Sequence, residues 1–283
     1  MINIVCTSKP CDGLFYYSYE YCSLLNQIGI NANVVIISHR NFTCDDYLNA
    51  IKEKYIMCEN LVLNRYNPSK SDISLIMGRS MMTLSYQDFD LYSKTQQESL
   101  KKLFSNNVIA VYSENHPYKY PKALEFYSPK NVFDLCDHEV YSNGLGRHFE
   151  KTINFDIHKE PENDIEFEYL FLGTNEKYYK TVQSVIEQYQ DHGIITYNEN
   201  YIDPKNNNIF APVNNLLGKF KTFVYTKDTF DPAPRIVQEC KYFNKDSIYS
   251  RDKSLHDGGS VYWNRPIRKP DLQPIINTIE EIV

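Results

Sequence analysis

The sequence lacks several features that would assign it to a common functional class. Over 283 residues its net charge is −6 at pH 7, so the excess of positive charge that a large non-specific nucleic-acid footprint requires is missing. Its 10 glycines form no G-x-G-x-x-G fingerprint, which argues against a nicotinamide-dependent dehydrogenase. The P-loop lysine motif, G-x-S-x-G and H-E-x-x-H are also absent, and with them the simplest signatures of NTPases, α/β-hydrolases and zinc proteases.

Paired cysteines and long apolar runs are missing as well. The seven cysteines contain no C-x-x-C pair and are odd in number, and Met1 leads directly into a predicted strand without a signal peptide. We therefore expect reduced, buried thiols in a cytoplasmic protein. No apolar run reaches the about 18 residues that a membrane span needs, so no transmembrane segment is expected.

Aromatic residues, in contrast, are abundant. The chain has 24 Tyr and 15 Phe and many Asn, Ile and Lys residues, a composition that fits the AT-rich genomes of viruses and many bacteria. For a virus, the cytoplasm would be that of the host. Most of the tyrosines are expected to pack in the core.

The first half of the chain reads as alternating strands and helices. Ile2–Cys6 is a short apolar strand, Leu14–Ile28 is a helix that ends at Gly29, and Val34–Ser38 is the next strand. This β–loop–α–β order is typical of a doubly wound α/β sheet. Further strands are predicted at Asn60–Leu63, Ile73–Met77, Val108–Tyr112, Phe133–Leu135 and His138–Tyr141, and further helices at Asp45–Tyr55 and Tyr92–Phe104.

A second α/β unit is predicted after an acidic stretch. Glu150–Glu168 is rich in carboxylates and contains a proline, which indicates an interdomain linker and two domains, 1–150 and 151–283. The strand Tyr169–Leu172 and the helix Glu176–Tyr189 then restart the βα pattern. The remaining elements are a strand at Ile194–Thr196 and helices at Val213–Phe220 and Leu272–Val283.

The most informative stretch lies near the end of the second domain. Thr222–Tyr225 predicts a buried strand, the proline-containing loop Asp228–Pro234 follows, and a helix begins at Arg235. A helix N-terminus behind a parallel strand is a natural anion site, and the planar guanidinium of Arg235 suits phosphate oxygens. Glu239 lies at i+4 from Arg235, so the alternative is an exposed salt bridge that contributes only a few tenths of a kcal/mol.

These residues carry a family resemblance. The segment DPAPRIVQEC resembles the donor-binding helix of GT-B glycosyltransferases. The resemblance implies that Glu239 accepts hydrogen bonds from the ribose hydroxyls and that Arg235, with Lys227 just before the helix, faces the donor diphosphate. The longer bacterial signature of this family, which contains two glutamates, is absent. Asp231 is the only acidic residue near the position of the first of these two glutamates, so its role stays open.

Two glycine-containing turns are assigned to the same donor site. Gly173 and Thr174 follow the first strand of the second domain, where the corresponding loop of GT-B enzymes approaches the donor phosphates. Gly258 and Gly259 form a turn after the strand Ser247–Tyr249 and are predicted to cover the donor sugar.

The catalytic base is expected in the first domain. Glu114 and His116 follow a predicted buried strand, and Asp12 lies in the loop after the first strand. Polar groups at the carboxyl ends of parallel strands are placed where open α/β sheets bind ligands, and carboxylates and histidine are the usual general bases. The segment that contains Glu114 and His116 has an alternative reading, in which Ser113 or Asn115 caps a helix.

We expect no catalytic metal ion. Asp88 and Asp90 have the D-x-D spacing of a metal pair but lie in a polar helical region. A divalent metal is possible there but is not expected to be catalytic. The expected stabiliser of the leaving group is the positive end of a helix, together with Arg235 and Lys227.

Together, the patterns and the resemblance predict an α/β protein with two Rossmann-like domains facing a cleft, of GT-B type. The predicted activity is transfer of a sugar from a nucleotide sugar, a UDP-sugar by preference, to a hydroxyl of a glycan or of a hydroxymethylated DNA base. The DNA acceptor comes from a similarity in layout to phage DNA β-glucosyltransferases. The alternative is a non-catalytic two-lobed protein that binds a nucleotide or another small ligand.

Overall fold

The computed structural model divides into two compact units. It describes residues 1–10, 12–38, 41–56, 60–77, 80, 87–105, 107–112, 131–134, 149, 153–173, 176–195, 207–209, 216–226, 235–249, 267 and 269–283. The first unit comprises Met1–Ile157 together with Arg268–Val283, and the second comprises His158–Ile267. The second unit therefore begins inside the acidic stretch that the sequence marks as a linker.

The described elements alternate between strand and helix through most of the chain. The strands are β1 (Ile2–Cys6), β2 (Ala32–Ile36), β3 (Leu61–Leu63), β4 (Ile73–Met77), β5 (Asn107–Tyr112), β6 (Val132–Asp134), β7 (Phe167–Leu172), β8 (His192–Ile195), β9 (Asn207–Ile209), β10 (Phe220–Tyr225) and β11 (Asp246–Tyr249). The α-helices are α1 (Gly13–Gln27), α2 (Cys44–Lys54), α3 (Lys94–Ser105), α4 (Glu176–Gln183), α5 (Arg235–Tyr242) and α6 (Gln273–Ile282). None of the helices in the described part of the chain has the length and apolar character needed to cross a membrane.

The first unit is built on a six-stranded sheet in the order β3-β2-β1-β4-β5-β6. All of its strand pairs are parallel. Side chains alternate between two cores: Ile4 lies in the core that contains α1, and Val5 lies in the core that contains Leu100 of α3. Helices therefore cover both faces, which confirms the predicted doubly wound sheet.

Helix α1 shows where many of the tyrosines go. Asp12 caps its N-terminus by accepting a hydrogen bond from the backbone N–H of Leu14 at 2.9 Å. Beyond the C-terminal end of the helix, Gly29 has a φ of +85°, a conformation that glycine adopts without strain. The buried aromatic side chains of the helix are Phe15, Tyr16, Tyr17, Tyr19 and Tyr21. Core packing, as expected, accounts for them.

Two charged side chains are buried beside these rings. Glu20 is fully buried and accepts a hydrogen bond from the hydroxyl of Tyr55 at 2.8 Å. Lys54 is 3% exposed, and its Nζ lies 4.3 Å from the centroid of the Tyr16 ring. A cation over an aromatic face is stabilised by the ring quadrupole, so the tyrosines also solvate a buried charge.

The second unit is a five-stranded parallel sheet in the order β11-β10-β7-β8-β9. On one face Phe223 packs with Val237 and Cys240 of α5. On the other face Val224 packs with Val182 of α4. This unit is also doubly wound, with one strand fewer.

The second unit departs from the sequence prediction in several places. The predicted helix Val213–Phe220 is, in its described part, a turn that leads into β10. The helix predicted to reach Tyr189 ends at Gln183 and is followed by a 3₁₀ turn at Ile186–Gln188. The hydroxyl of Ser184 donates to the carbonyl of Thr181 at 2.7 Å, and such local bonds compete with helix continuation. Strand β9 is asparagine-rich and was not predicted, because its pairing with β8 prevails over a weak strand propensity.

The C-terminal helix α6 belongs to the first unit, whereas the sequence assigned it to the second domain. Leu272 and Ile275 are buried in the core that also contains Ile2 and Tyr17, and Ile279 packs against the same core. The apolar face of α6 was predicted correctly. The core that it covers depends on tertiary packing.

The described cysteines are all free thiols, but they are not all buried. Cys6, Cys22 and Cys240 are buried, whereas Cys44 is exposed at the start of α2, which corrects the expectation for this residue. Burial raises the pKa of Cys6 to about 12. Its thiol is therefore protonated and unreactive at neutral pH.

Candidate functional site

The strand order of the second unit places the carboxyl ends of two strands side by side. The order reverses between β7 and β10, where Phe171 lies opposite Val224. Gly173 follows β7 and Thr226 follows β10, so both lie at the carboxyl edge of the sheet, and both are buried. In open α/β sheets this reversal is where ligands bind.

Helix α5 follows β10 and begins at Arg235. Ile236, Val237 and Cys240 are buried against the sheet. Arg235 and Glu239 are four residues apart, and the Nε of Arg235 donates to Oε1 of Glu239 at 2.7 Å. The side chains are 10% and 2% exposed, respectively.

The ion pair that the sequence allowed is therefore formed, but it is not an exposed one. A surface pair is stabilised weakly because water screens it. For a buried pair, removal of one partner leaves an uncompensated charge in the protein and costs about 3–5 kcal/mol. Glu239 thus fixes the orientation of the guanidinium at the N-terminal end of α5, where positive charge and N–H groups favour anions.

The one cysteine on α5 does not supply a nucleophile. Burial, and to a lesser degree the neighbouring Glu239 carboxylate, raises the pKa of Cys240 well above its ordinary value. The reactive form of cysteine is the thiolate. Cys240 therefore serves as an apolar core residue.

The first unit has a corresponding reversal of strand order, between β1 and β4. Here Thr7, which follows β1, is hydrogen-bonded to Ser80, which comes after β4. The Oγ of Ser80 accepts a bond from the backbone N–H of Thr7 at 3.1 Å and another from the hydroxyl of Thr7 at 3.2 Å. Ser80 is fully buried. It was not among the predicted site residues, although its position three residues after a buried strand was the available signal.

Asp12 lies in the segment that follows β1 and has a structural role as the N-terminal cap of α1. Its carboxylate caps α1 through the 2.9 Å bond to Leu14. Its assignment as a catalytic base stays a prediction, and any substitution must separate the two roles.

An amide network lines the same edge further along. The Nε2 of Gln96 donates to the carbonyl of Ser38 at 2.6 Å and to Oδ1 of Asn64 at 2.9 Å. Oδ1 of Asn64 also accepts from the backbone N–H of Ser38 at 3.2 Å. The network fixes the ends of β2 and β3 against α3, and its groups are of the kind that bind hydroxyls.

The structure brings three of the predicted donor residues to one sheet: Gly173, Arg235 and Glu239. Apart from Asp12, the other predicted site residues lie outside the described residues; they are Glu114, His116, Thr174, Lys227, Asp231, Gly258 and Gly259. Asp88 and Asp90 lie in the 3₁₀ turn Gln87–Leu91. Within the described ranges, no group of three or more His, Cys, Asp or Glu side chains is arranged to hold a metal ion.

Comparison with known proteins gives a structural likeness. No protein-family model matches the chain, and no curated protein matches its sequence significantly. A glycosyltransferase from Rickettsia africae ESF-5 matches with a TM-score of 0.52 and 11% identity, over 99% of this chain and 87% of that one.

Two further structures match at lower TM-scores. They are a putative UDP-N-acetylglucosamine 2-epimerase from Listeria monocytogenes (TM-score 0.40, 10% identity) and the UDP co-structure of S. aureus MnaA (TM-score 0.41, 11% identity). Each match covers 99% of this chain and 87% of the other. Such identities speak to the fold alone, and these matches do not show the likeness to phage DNA β-glucosyltransferases. The chain has a GT-B glycosyltransferase-like fold built from two Rossmann-like units.

Proposed function

We propose that the protein is a glycosyltransferase that moves a sugar from a nucleotide-sugar donor to an acceptor hydroxyl. The observation that carries this proposal is the buried Arg235–Glu239 pair, which opens the helix after β10. The pair lies in the unit whose strand order reverses between β7 and β10. In such sheets, ligands usually bind at the point of reversal. The fold likeness to a glycosyltransferase supports the same class.

The donor is assigned to the second unit. The diphosphate lies at the N-terminus of α5, where Arg235 donates charge-assisted hydrogen bonds. Glu239 binds Arg235 through Oε1, and a carboxylate has enough lone pairs to accept a ribose hydroxyl as well. The donor is proposed to be a UDP-sugar, with further contacts from Gly173, Thr174, Lys227, Asp231, Gly258 and Gly259.

In this mechanism the protein stabilises negative charge on the leaving diphosphate. Charge grows on that group as the glycosidic bond breaks, and Arg235 held in place by Glu239 needs little reorganisation to meet it. A divalent metal is not required in this scheme. Proton removal from the acceptor is assigned to Glu114, His116 or Asp12 of the first unit. The acceptor is a glycan or a hydroxymethylated DNA base, and the net charge of −6 favours the glycan.

A thermal-shift screen against UDP-, GDP-, ADP- and CMP-sugars tests donor binding. A ligand that binds only the native state raises the melting temperature, with about 2.7 kcal/mol of stabilisation at a hundredfold excess over Kd. Lys221→Ala is the matched control because it removes an exposed ion pair, Lys221–Glu168, from the same unit. A shift that persists in Lys221→Ala and is lost in Arg235→Ala supports the site, whereas no shift with any nucleotide sugar contradicts it.

Catalysis is separated from simple binding by donor hydrolysis. A transferase with a bound donor and no acceptor slowly releases free nucleoside diphosphate and free sugar, because water can take the acceptor position. A two-lobed binding protein would show the thermal shift and no release. Quantifying the nucleoside diphosphate over time distinguishes the two.

A further inference from the structure

The turn that follows strand β3 contains an asparagine in an unusual backbone conformation. Asn64 has a φ of +59°, and the backbone N–H of Arg65 donates to the carbonyl of Leu63 at 2.8 Å. This bond closes a three-residue γ-turn centred on Asn64, and the form of that turn with positive φ is rare and strained. Glycine would adopt such a φ without steric cost, so the presence of a side chain here points to a use for it.

The amide of Asn64 is held through its oxygen. Oδ1 accepts hydrogen bonds from the backbone N–H of Ser38 at 3.2 Å and from Nε2 of Gln96 at 2.9 Å. Because a backbone N–H only donates, the atom that it meets must be the oxygen, and the orientation of the amide is thereby determined.

Gln96 is fixed in its turn. Its Oε1 accepts from the backbone N–H of Ser93 at 2.9 Å, and its Nε2 also donates to the carbonyl of Ser38 at 2.6 Å. Both N–H groups of the Gln96 amide are therefore used inside the network. The network holds the Asn64 amide in one position before any ligand arrives, which lowers the cost of binding.

Nδ2 of Asn64 is the open end of the network. In the part of the chain that the structure describes it donates no hydrogen bond, and it is accessible to solvent. Strands β2 and β3 are parallel, so Ser38 and Asn64, which follow them, lie at the carboxyl edge of the sheet, the edge at which open α/β sheets bind ligands. An amide nitrogen only donates, so its partner there must be an oxygen that accepts.

Arg65 adds positive charge beside this donor. Its side chain is exposed, and its guanidinium forms no ion pair or hydrogen bond with the described part of the chain. Adjacent Cα atoms are about 3.8 Å apart, so a long arginine side chain is within reach of a ligand at Asn64. A guanidinium also only donates, and charge-assisted bonds favour a carboxylate or a phosphate over a neutral hydroxyl.

We propose that Asn64 and Arg65 form a binding site for an anionic oxygen group, a carboxylate or a phosphate, at the outer side of the first sheet. Nδ2 of Asn64 donates a hydrogen bond to the group and Arg65 supplies the charge. The group is assigned to the acceptor, and this assignment rests on the proposed function, since the base that activates the acceptor is placed in the same unit. The acceptor is then an acidic one.

One substitution separates this role from a purely structural one. Asn64→Asp keeps an oxygen for the bonds from Ser38 and Gln96, and aspartate also tolerates a positive φ, so the melting temperature should stay nearly unchanged. The variant replaces the donor by a negatively charged acceptor. Asn67→Asp is the matched control, because Asn67 is exposed and bonded to Lys102 through Oδ1, and the change adds the same charge nearby while the Asn64 donor remains.

A titration followed by NMR tests the site directly on the wild-type protein. The side-chain NH₂ resonances of Asn64 are identified by their loss in Asn64→Asp. They should shift saturably with D-glucuronate or with inorganic phosphate, and D-glucose should leave them in place. The anion that binds more tightly shows which of the two groups the site takes.

The variants are compared through the backbone N–H resonance of residue 65. Asn64→Asp and Arg65→Ala should each weaken anion binding by about tenfold or more, the loss expected for a charge-assisted hydrogen bond, and Asn67→Asp should weaken it much less. A solvated amide without a ligand would give no saturable shift with any probe. That result, an equal response to D-glucose, or unchanged affinity in Arg65→Ala would overturn the proposal.

The assignment to the acceptor needs a separate measurement. In a transferase assay, Asn64→Asp should raise the KM of a uronate-containing glycan, leave the KM of the matching neutral glycan nearly unchanged, and leave the Kd of the donor unchanged. Equal effects on both glycans would overturn the assignment. If no nucleotide sugar binds at all, the proposed function fails, whereas the titration still reports on the anion site.

Discussion

For Glu239, the environment of the side chain in the structure differs from the one that the sequence allowed. On spacing alone it forms an exposed salt bridge or a donor contact, but its side chain is 2% exposed and bonded to Arg235. A substitution there therefore has two separable effects, on the stability of α5 and on ligand binding. The choice of replacement determines which effect is measured.

The first prediction compares two replacements of Glu239. Glu239→Ala leaves the Arg235 charge without its buried partner and should lower the free energy of unfolding by about 3–5 kcal/mol. Glu239→Gln keeps an oxygen that accepts the Nε–H bond, so the loss of stability is smaller. Both should weaken the binding of nucleoside diphosphate by about 1.5–3 kcal/mol, measured by calorimetric titration. Unchanged affinity in Glu239→Gln would refute the ribose assignment.

The second prediction concerns Arg235 itself. Its bonds to the diphosphate strengthen as charge develops, so Arg235→Ala should reduce kcat by a larger factor than it raises the Kd of the donor. Arg235→Lys retains the charge but not the planar fork, and should recover part of the turnover. Equal losses in binding and turnover would mean that Arg235 contributes uniform binding only.

The third prediction separates the cap from the base at Asp12. Asp12→Asn retains a capping oxygen and should leave the melting temperature nearly unchanged, whereas Asp12→Ala should cost about 1 kcal/mol of stability. If Asp12 is the base, both reduce turnover by roughly 10²- to 10⁴-fold.

Glu114 and His116 are tested in parallel. If Asp12→Asn turns over at the wild-type rate, the loss should appear in Glu114→Gln or His116→Ala, with donor binding nearly unchanged. Wild-type rates in all of these variants would place the base elsewhere.

At the scale of elements, the linker passes close to the backbone of the second unit at Gly218. A Cβ atom added to Gly218 would collide with the backbone carbonyl of Glu162. The backbone N–H groups of Glu166 and Phe167 both donate to the carbonyl of Lys219. Gly218 is therefore required by the close passage of the linker over the turn that precedes β10.

The fourth prediction follows from that contact. Gly218→Ala should displace the linker from the turn, lower the melting temperature and speed proteolysis at residues 159–166. Gly13→Ala is the matched control, because nothing lies within 4 Å of the added Cβ and alanine favours the first turn of α1. If Gly218→Ala is as stable as Gly13→Ala, the approach of Glu162 is not a constraint.

At the scale of the whole molecule, the chain passes between the two units twice. It leaves the first unit after Ile157 and returns to it at Arg268. The last helix thus closes the first unit after the second has been completed. Residues 162–166 are exposed, so one cut there would still leave α6 joined to the second unit.

The fifth prediction uses limited proteolysis. Cleavage should occur first within residues 150–168, and the two fragments should elute together under native conditions because α6 packs in the core of the first unit. Ile275→Ala, at a position 1% exposed, should release the fragments, since such core truncations cost about 2–5 kcal/mol. Glu280→Ala, exposed on the same helix, is the control. Early cleavage within residues 1–140, with the linker intact, would contradict the boundary.

The local elements of the fold could be predicted from sequence because their signals are local. Apolar runs place β1 and β4, the Gly29 stop ends α1, and the three- and four-residue spacing of Ile236, Val237 and Cys240 predicts α5. The side-by-side position of Arg235 and Glu239 follows from the helical repeat alone. The alternation of strand and helix gives the doubly wound class.

Strand order and burial required the tertiary structure. No local pattern indicates that β10 pairs with β7, 53 residues earlier, and this pairing brings the ends of the two strands, at Gly173 and Thr226, to one edge. The helical repeat likewise predicts which face of α5 and α6 is apolar, but not the core against which that face packs. The burial of Glu239 and the return of α6 to the first unit could therefore not be predicted from the sequence. Periodicity describes a residue and its neighbours within one element, whereas burial and strand order arise from contacts between elements distant in sequence.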